Sequence, residues 1–520
     1  MKKIYFILFV IILFSGCYKD KGNYDYKELE DITVSLPEKS YSLFFGDKLQ
    51  ITPIIESSIP DDDLAFDWGI ENTNVWYTGS YITIDSSRVL DFVCETDDYL
   101  LKQEGVYNLR LHVTQVSTGR NFYSDAVSVK LSERGLPSYT GAIVLHGDGT
   151  SSDIGVIVAD EFQLTENSSG VKTQVFSHYY SEVNGETIKG KGQWILQLYP
   201  NGNAMYSDNI VVVAVTDEGA AVTDKSMMKE GGWNDLFYGG LNEGVPRGCS
   251  INNYNIYAFD GGDIFIKQLH QMFVVPTYNG EELGWEFYPK ICFAEIGSPL
   301  GGLLFDETNR RFIGLTSVNY FTYEPIVVED NASLPFNPVN MQADLIYMDG
   351  GGKSGHVLAV MKKDNGDHFI AEFDLMASSY TDMPVHAYDL MHIGDIQNGR
   401  AINWAFSSSY INMCYYATGT GVYRFAVESG NTINPEALKM TDGSSLVFDG
   451  EITLMKILNP VVGNNEYYMA KVEMVVATYG GIAGSGKLYS IEIDPFAGLA
   501  KKVKTYTGFD RIYDVNIKGF

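Results

Sequence analysis

Between residues 31 and 133 the chain consists of short segments in which apolar and polar residues alternate, separated by turn-forming residues. A period of two is typical of a strand with one face on a core and the other in water. Seven such strands in about 100 residues are the pattern of an immunoglobulin-like β-sandwich. We therefore predict a sandwich over residues 31–133, with strands at 32–36, 48–55, 64–68, 76–84, 89–94, 106–114 and 126–131.

Beyond a linker at 135–141 a different unit recurs: an apolar strand, a turn rich in glycine, aspartate or asparagine, and a second strand. Each unit has the turn chemistry of a β-hairpin. Seven hairpins in about 380 residues give a period of about 54 residues, near that of kelch-like propellers, whose radial sheets leave only short edges. We predict seven hairpins, at 143–157, 210–222, 256–266, 303–313, 357–370, 413–425 and 475–491.

The fold predicted from these two patterns is all-β: a sandwich followed by a seven-bladed β-propeller over residues 139–520. Six or eight blades are the neighbouring alternatives, and stacked sandwiches are a further one. Composition agrees, because 45% hydrophobic residues, 13% aromatics and 52 glycines favour strands and tight turns over helices. No long window shows apolar residues at helical spacing with capping signals.

The N-terminal segment has a third pattern. Two lysines, an unbroken apolar run at 4–14 and two small residues precede Cys17. This order is typical of a bacterial lipoprotein signal, and a helix of eleven residues reaches only about 16 Å, roughly half a bilayer's hydrocarbon core. We predict a signal peptide at 1–16, acylation of Cys17 and a flexible tether at 17–30. The alternative is an ordinary cleaved signal with an incidental cysteine.

The formal net charge of −29 argues against nucleic acid as a partner, because binding phosphates requires a basic face. The charge does not by itself identify another partner. The remaining cysteines are far apart and show no metal-ligand spacing, so we predict buried free thiols, with one disulfide as the alternative. They are Cys94, Cys249, Cys292 and Cys414.

Catalytic motifs of the common hydrolases and nucleotide enzymes are absent from the sequence. The nearest match, at 481–487, has phosphate-loop spacing as far as its lysine, but Leu488 occupies the place of the magnesium-binding serine or threonine. We predict a hairpin turn there. The acidic run 61–63 lacks the alternating ligand spacing of a calcium loop and is predicted to be a solvated turn. No metal or cofactor is expected.

Two tryptophans are the candidate ligand-binding residues. Trp233 and Trp285 lie among glycines, turn residues and charges, where an exposed ring covers the apolar face of a sugar or peptide with little loss of entropy. The alternative is that each ring fills a gap between neighbouring sheets. Trp194 and Trp404 lie in apolar strands and are predicted to be core residues.

The segments 46–53, 66–68 and 105–113 resemble a PKD-type domain, although Gly69-Ile-Glu-Asn replaces the usual Gly-Asp-Gly after the tryptophan. With the tether 17–28 in front, the chain resembles the PKD-like lipoprotein family of Bacteroidota-type bacteria. Segments near 140–145 and 506–512 extend this resemblance along the chain. The resemblance implies a protein lipid-anchored in the outer membrane, facing the cell exterior, beside a SusC/SusD-like importer. No enzymatic activity is established for that family.

We therefore expect a non-catalytic accessory of a SusC/SusD-like outer-membrane nutrient importer that binds a glycan or peptide or docks on the importer. Two alternatives belong to other classes: a purely structural protein–protein interaction module, and a propeller hydrolase or lyase. An aromatic and polar surface cluster favours ligand binding, convergent carboxylates or histidines favour an enzyme, and a flat apolar patch favours docking.

If Cys17 carries the anchor, Cys17→Ala removes the acylation site, and most of the protein should move from the membrane fraction to the soluble fraction. Cys94→Ala is the matched control and should leave fractionation unchanged. Mass spectrometry of the N-terminal peptide checks the modification directly. Membrane retention of the Cys17→Ala protein, with no acyl group on the wild type, would show the prediction to be wrong.

Overall fold

The computed structural model divides the chain into two compact units, one ending at Arg134 and the other beginning at Gly135. The structure describes residues 32–44, 48–72, 82–93, 105–132, 140–163, 171–198, 211–224, 226–237, 246–251, 255–268, 274–278, 283–294, 301–319, 322–327, 334–350, 355–407, 413–428, 430, 432–458 and 472–518.

The first unit is built of strands, as its alternating pattern predicts. Their bounds are β1 (Ile32–Ser35), β2 (Ser40–Phe44), β3 (Lys48–Ile51), β4 (Ile54–Ser57), β5 (Leu64–Asn72), β6 (Ile82–Asp85), β7 (Leu90–Val93), β8 (Gly105–Gln115), β9 (Arg120–Tyr123) and β10 (Val127–Ser132). The longest, β8, pairs antiparallel with β5, β9 and β10, while β2 joins β10 in parallel. Two smaller sheets pair β1 with β4 and β3 with β7.

Alternation along β8 places its odd-numbered residues in the core and its even-numbered residues on the outer face. Trp68 is fully buried in this core, and its indole N–H donates a 2.9 Å hydrogen bond to the Ser87 carbonyl. A polar partner for a buried indole removes the cost of an unsatisfied donor. Phe66 packs less completely against the same core.

The sequence pattern misses three features of this unit. The predicted strand 48–55 is two strands, β3 and β4, because Pro53 lacks the N–H that a continuous ladder requires. The sequence pattern does not predict the strands β2 and β9. The predicted strand 76–84 lies within the described residues only from Ile82 onward. Cys94 lies outside them.

The acidic run 61–63 is a single 3₁₀ turn that leads into β5. The Asp63 carboxylate accepts hydrogen bonds from the Ser117 hydroxyl at 2.6 Å and from the Gln115 side chain at 3.0 Å. These bonds hold the pKa of Asp63 below its usual value. The Asp63 carboxylate therefore stabilises the turn between β8 and β9.

The second unit is also built of strands, so the all-β prediction is confirmed for the described chain. The bounds are β11 (Gly141–Gly147), β12 (Ser151–Val158), β13 (Gln174–Phe176), β14 (Ile188–Lys189), β15 (Gly192–Leu198), β16 (Val211–Thr216), β17 (Gly219–Thr223), β18 (Lys229–Gly231), β19 (Pro246–Ile251), β20 (Asn255–Asp260), β21 (Asp263–Gln268), β22 (Val274–Tyr278), β23 (Cys292–Phe293), β24 (Gly302–Asp306), β25 (Arg311–Asn319), β26 (Thr322–Val327), β27 (Ala343–Gly350), β28 (His356–Lys363), β29 (His368–Asp374), β30 (Pro384–Asp389), β31 (Asn403–Phe406), β32 (Met413–Ala417), β33 (Val422–Ala426), β34 (Glu436–Ala437), β35 (Glu451–Leu458), β36 (Val472–Tyr479), β37 (Gly486–Ile493), β38 (Ala500–Phe509) and β39 (Arg511–Lys518).

All seven predicted hairpins are present, each as the central antiparallel pair of one sheet. Within the described residues, six sheets are consecutive four-stranded meanders, from β15–β18 to β35–β38. The first sheet differs, because its order is β13-β12-β11-β39, with β14 added beside β12. The last strand of the chain therefore completes the first sheet of the unit.

Neighbouring sheets share their apolar cores. Buried residues of the second and third sheets form one cluster, and further clusters join the third to the fourth, fourth to fifth, fifth to sixth and sixth to seventh sheets. A sixth cluster joins the seventh sheet to the first, where Val475 and Leu488 meet Val144 and Val515. The first and second sheets meet where the Ile195 amide donates to the Asp514 carboxylate at 3.0 Å.

Helices are few among the described residues. They are α1 (Tyr179–Asn184), α2 (Gly394–Gln397) and the 3₁₀ turns Asp61–Asp63, Asp160–Phe162, Trp233–Leu236 and Tyr380–Asp382. Within the described chain, no helix has both the length and the apolar character needed to cross a membrane. Residues 481–485 form the turn between β36 and β37, as predicted, while Lys487 lies in β37 and pairs with Asp449.

Because β39 supplies core residues to the first sheet, shortening one of them should destabilise the second unit. Ile512 is 1% exposed, and Ile512→Ala should cost about 2–5 kcal/mol of unfolding free energy. Ile482 is 72% exposed, so the matched control Ile482→Ala should stay within about 0.5 kcal/mol. Chemical denaturation of the full chain measures both. A loss of unfolding free energy for Ile512→Ala as small as that for Ile482→Ala would show that β39 is not an integral part of the core.

Candidate functional site

Trp233 is a core residue. It begins the 3₁₀ turn Trp233–Leu236, is 5% exposed, and packs edge-to-face against Trp194 and Phe237 at ring distances of 5.9 and 5.2 Å. The cluster around it joins the second and third sheets. This burial corrects the expectation that Trp233 is a surface ring, since the Trp194 and Phe237 rings pack around the indole.

Trp285 lies at a half-buried position just before β23. Its ring packs edge-to-face on Phe287 at 5.8 Å, and the Arg311 guanidinium lies 5.0 Å from its centre. A guanidinium over an indole is an attractive cation–π contact. Gly284, with φ of +68°, supplies the left-handed bend that brings the chain into this position. Of the two predicted ligand-binding residues, only Trp285 retains accessible ring surface.

Charged groups surround Trp285. The buried Asp306 carboxylate accepts from Arg311 Nε at 3.0 Å and from the Asn309 amide at 2.8 Å. Arg247 donates to Glu307 at 2.6 Å and lies 3.1 Å from Glu286. Both guanidiniums are therefore already paired, and because three carboxylates surround two guanidiniums, the cluster is unfavourable for an anionic ligand.

The segment 283–294 positions these groups because it runs beside β24. The Tyr288 amide donates to the Phe305 carbonyl at 2.9 Å, and Phe287 forms a bridge with Asp306. Phe287 joins the core shared with the third sheet, whereas Tyr288 packs on the core shared with the fifth. The segment is thus fixed from both sides, which gives Trp285 a defined orientation.

A second polar cluster lies at the far end of the same segment. Lys290 Nζ is 2.7 Å from the Asp349 carboxylate and 5.3 Å from the centre of the Tyr347 ring. Tyr347 donates to the same carboxylate at 2.9 Å. Burial opposes the charge on Lys290, but Asp349 outweighs it, so the pKa of Lys290 lies above its usual value. Lys290 is therefore a charged structural partner and not a neutral amine nucleophile.

The thiols and phenols near this segment are protonated groups. Burial raises the pKa of Cys292 to about 12 and that of Tyr288 to about 12. Burial also raises the pKa of Cys249 and Cys414. A reactive cysteine requires a lowered pKa, so these thiols lack that activation. All three are free; Cys292 and Cys414 are also buried, as predicted, whereas Cys249 is only partly buried.

A buried acid–base cluster lies between the fifth and sixth sheets. His356 Nδ1 is 2.7 Å from one Glu372 oxygen, and Tyr388 donates to the other at 2.6 Å. All three side chains are buried, so both carboxylate oxygens are satisfied within the core. The described residues contain no group of three or more histidine, cysteine, aspartate or glutamate side chains placed to hold a metal ion.

The sequence patterns missed Arg247, Asp306, Glu307 and Arg311 as neighbours of Trp285. One signal was present: Asp306 and Arg311 flank the turn of a predicted hairpin and prove to be paired in its register. Opposite charges across a tight turn favour such a pair. No spacing in the sequence predicts that Arg247 lies in this cluster, because Arg247 belongs to β19 of the third sheet and Trp285 precedes the fourth.

The two tryptophans provide a matched test of this placement. Trp233→Ala empties a buried site and should cost roughly 3–5 kcal/mol of unfolding free energy. Trp285→Ala removes a half-buried ring and should cost no more than about 1–2 kcal/mol. Denaturant unfolding of the full chain followed by circular dichroism measures both. A loss for Trp285→Ala as large as for Trp233→Ala would show that Trp285 too is a core residue.

Several solved structures resemble this chain at low similarity. A DUF4784 family protein from Bacteroides caccae is 10% identical, with 94% of this chain and 98% of that chain covered and a TM-score of 0.24. A structure titled "NanB plus Optactamide" covers 80% of this chain and 58% of that chain at 10% identity and a TM-score of 0.23.

A variant of the NanB sialidase from Streptococcus pneumoniae is also 10% identical, with 86% of each chain covered and a TM-score of 0.22. With TM-scores this low, these likenesses carry no argument about activity. No curated protein matches the sequence. The model of the PKD-like family matches residues 17–192, about a third of the chain, so the first unit and the beginning of the second are similar to that family.

Proposed function

We propose that this protein is a non-catalytic, lipid-anchored accessory of a SusC/SusD-like outer-membrane nutrient importer. It faces the cell exterior and acts by contact, binding a glycan or peptide or docking on the importer. The observation that carries this proposal is the match to the PKD-like family, which begins at Cys17, the residue predicted to carry the acyl chains.

The second unit is proposed to be a seven-bladed β-propeller. Three observations support it: the seven sheets follow one another along the chain, each pair of neighbours is in contact, and the seventh shares a core with the first. The pairing of β39 with β11 joins the two ends of the unit in one sheet. A ring of blades removes the long open edges that so many strands would otherwise present.

The chemistry of the second unit supports a contact function. Arg247, Arg311 and Lys290 are paired with carboxylates, and burial raises the pKa of the Cys292 thiol beside Lys290. An enzyme needs groups whose pKa values are shifted toward reactivity and which converge in a cleft. The groups around Trp285 instead hold a fixed, partly accessible ring on a rigid sheet.

The proposal is tested by chemical crosslinking of the tagged full-length protein in its native outer membrane, followed by purification and mass spectrometry. We expect a SusC/SusD-like importer as the main crosslinked partner. The matched control is an unrelated soluble protein carrying residues 1–30 of this chain, which reproduces membrane anchoring without the folded units.

Recovery of the importer with the full chain and not with the control supports the proposal. Equal recovery with both would show only shared membrane location and would overturn the accessory role. Absence of any importer, with the protein anchored normally, would overturn it as well.

A further inference from the structure

The outer face of the first unit carries an ordered row of polar and aromatic side chains. Register places Asp67, His112 and Tyr123 side by side across β5, β8 and β9. The adjacent row brings together Thr114 and Asn121. These five residues are called the Tyr123 platform below. They lie on three hydrogen-bonded strands, so their spacing is fixed by the sheet.

The aromatic part of the platform is a stacked pair. The His112 and Tyr123 rings lie 4.5 Å apart with an interplanar angle of 7°. Tyr123 is nevertheless 58% exposed, although the apolar residues of β8 on the opposite face are almost fully buried. The imidazole therefore holds the phenol ring in one orientation while much of that ring stays in contact with solvent. A pre-oriented ring loses little entropy when it takes up a ligand.

The polar part of the platform is a short hydrogen-bond network. The Asn121 side-chain oxygen accepts from His112 Nε2 at 2.9 Å and from the Thr114 hydroxyl at 3.0 Å. His112 Nδ1 faces Asp67 at 3.8 Å. Since its oxygen is used in this network, Asn121 has its two amide N–H donors left, and neither has a hydrogen bond within the part of the chain that the structure describes.

This combination matches the chemistry of a sugar. A pyranose ring presents axial C–H groups that pack on an aromatic face and equatorial hydroxyls that accept from an amide or donate to a hydroxyl or carboxylate. The platform offers the ring of Tyr123 beside the amide of Asn121 and the hydroxyl of Thr114. With a net charge of −29 on the chain, an uncharged ligand meets less repulsion than an acidic one.

We propose that the Tyr123 platform binds a neutral oligosaccharide made of pyranose units, with one sugar ring stacked on Tyr123. This assigns a ligand-binding site to the first unit, whereas Trp285 belongs to the second. It deepens the proposed function, on which it rests, by naming the ligand class.

The experiment measures binding of purified full-length protein to maltohexaose, cellohexaose, xylohexaose and mannohexaose by isothermal titration calorimetry, with a mixture of casein peptides as the competing class. At least one hexasaccharide should bind to the wild type. Tyr123→Ala should weaken that binding by roughly tenfold or more, because the stacking surface is lost. Tyr123→Phe keeps the ring and should stay within about threefold of the wild type.

Two further variants keep the test decisive. Asn121→Ala should weaken binding several-fold, and its exposed position limits any effect on folding. Phe496→Ala removes an aromatic side chain that is 71% exposed in the second unit, and it should bind as the wild type does. Thermal melts of all variants check that the fold is retained.

Three outcomes would overturn the inference: no hexasaccharide binds the wild type, casein peptides bind at Tyr123 instead, or binding survives Tyr123→Ala. If saccharide binding disappears only in Trp285→Ala, the site lies in the second unit. Crosslinking to the importer is independent of all these results, so failure of the platform is distinguishable from failure of the proposed function.

Discussion

The backbone pairing of β39 with β11 is the interaction on which the second unit depends. It joins the last strand of the chain to the first strand of that unit, from Gly141 opposite Lys518 to Gly147 opposite Arg511. Without β39, β11 would present an unpaired edge, and the core between the seventh and first sheets would lose Ile512 and Val515. Bringing such distant segments together costs loop-closure entropy, which the shared apolar core offsets.

Several polar side chains buried in the second unit have hydrogen-bond partners within that unit. Buried carboxylates are satisfied by named donors: Asp306 by Arg311, Glu372 by His356 and Tyr388, and Glu161 by Lys504 and Tyr506. His146 is fully buried as a neutral ring, donating through Nε2 to the Ser177 carbonyl and accepting at Nδ1 from the Asp510 amide. Burial lowers the pKa of His146 accordingly. These clusters stabilise contacts between elements and leave few groups for chemistry.

The first unit meets a different constraint. Its main sheet has one face on the core around Trp68 and one face in solvent, so the outer residues of β8 are not selected for packing. A stacked histidine and tyrosine on that outer face therefore call for an explanation outside the core. The charged cluster around Trp285 differs, because Arg311 and Asp306 form a hairpin pair and Phe287 belongs to a core. Folding alone therefore accounts for the cluster around Trp285, whereas it does not account for the stacked pair on β8 and β9.

Hydrophobic periodicity in the sequence was sufficient to predict the strands of the first unit in outline and all seven hairpins of the second, because a strand's apolar alternation and a turn's glycine or aspartate are local properties. The free state of three cysteines also followed from their apolar neighbours. Other features are decided by contacts between distant segments. Only the tertiary structure pairs β39 with β11, buries Trp233 against Trp194, and sets Arg311 over Trp285. It also aligns His112 with Tyr123, since cross-strand register depends on the whole sheet and not on either strand alone.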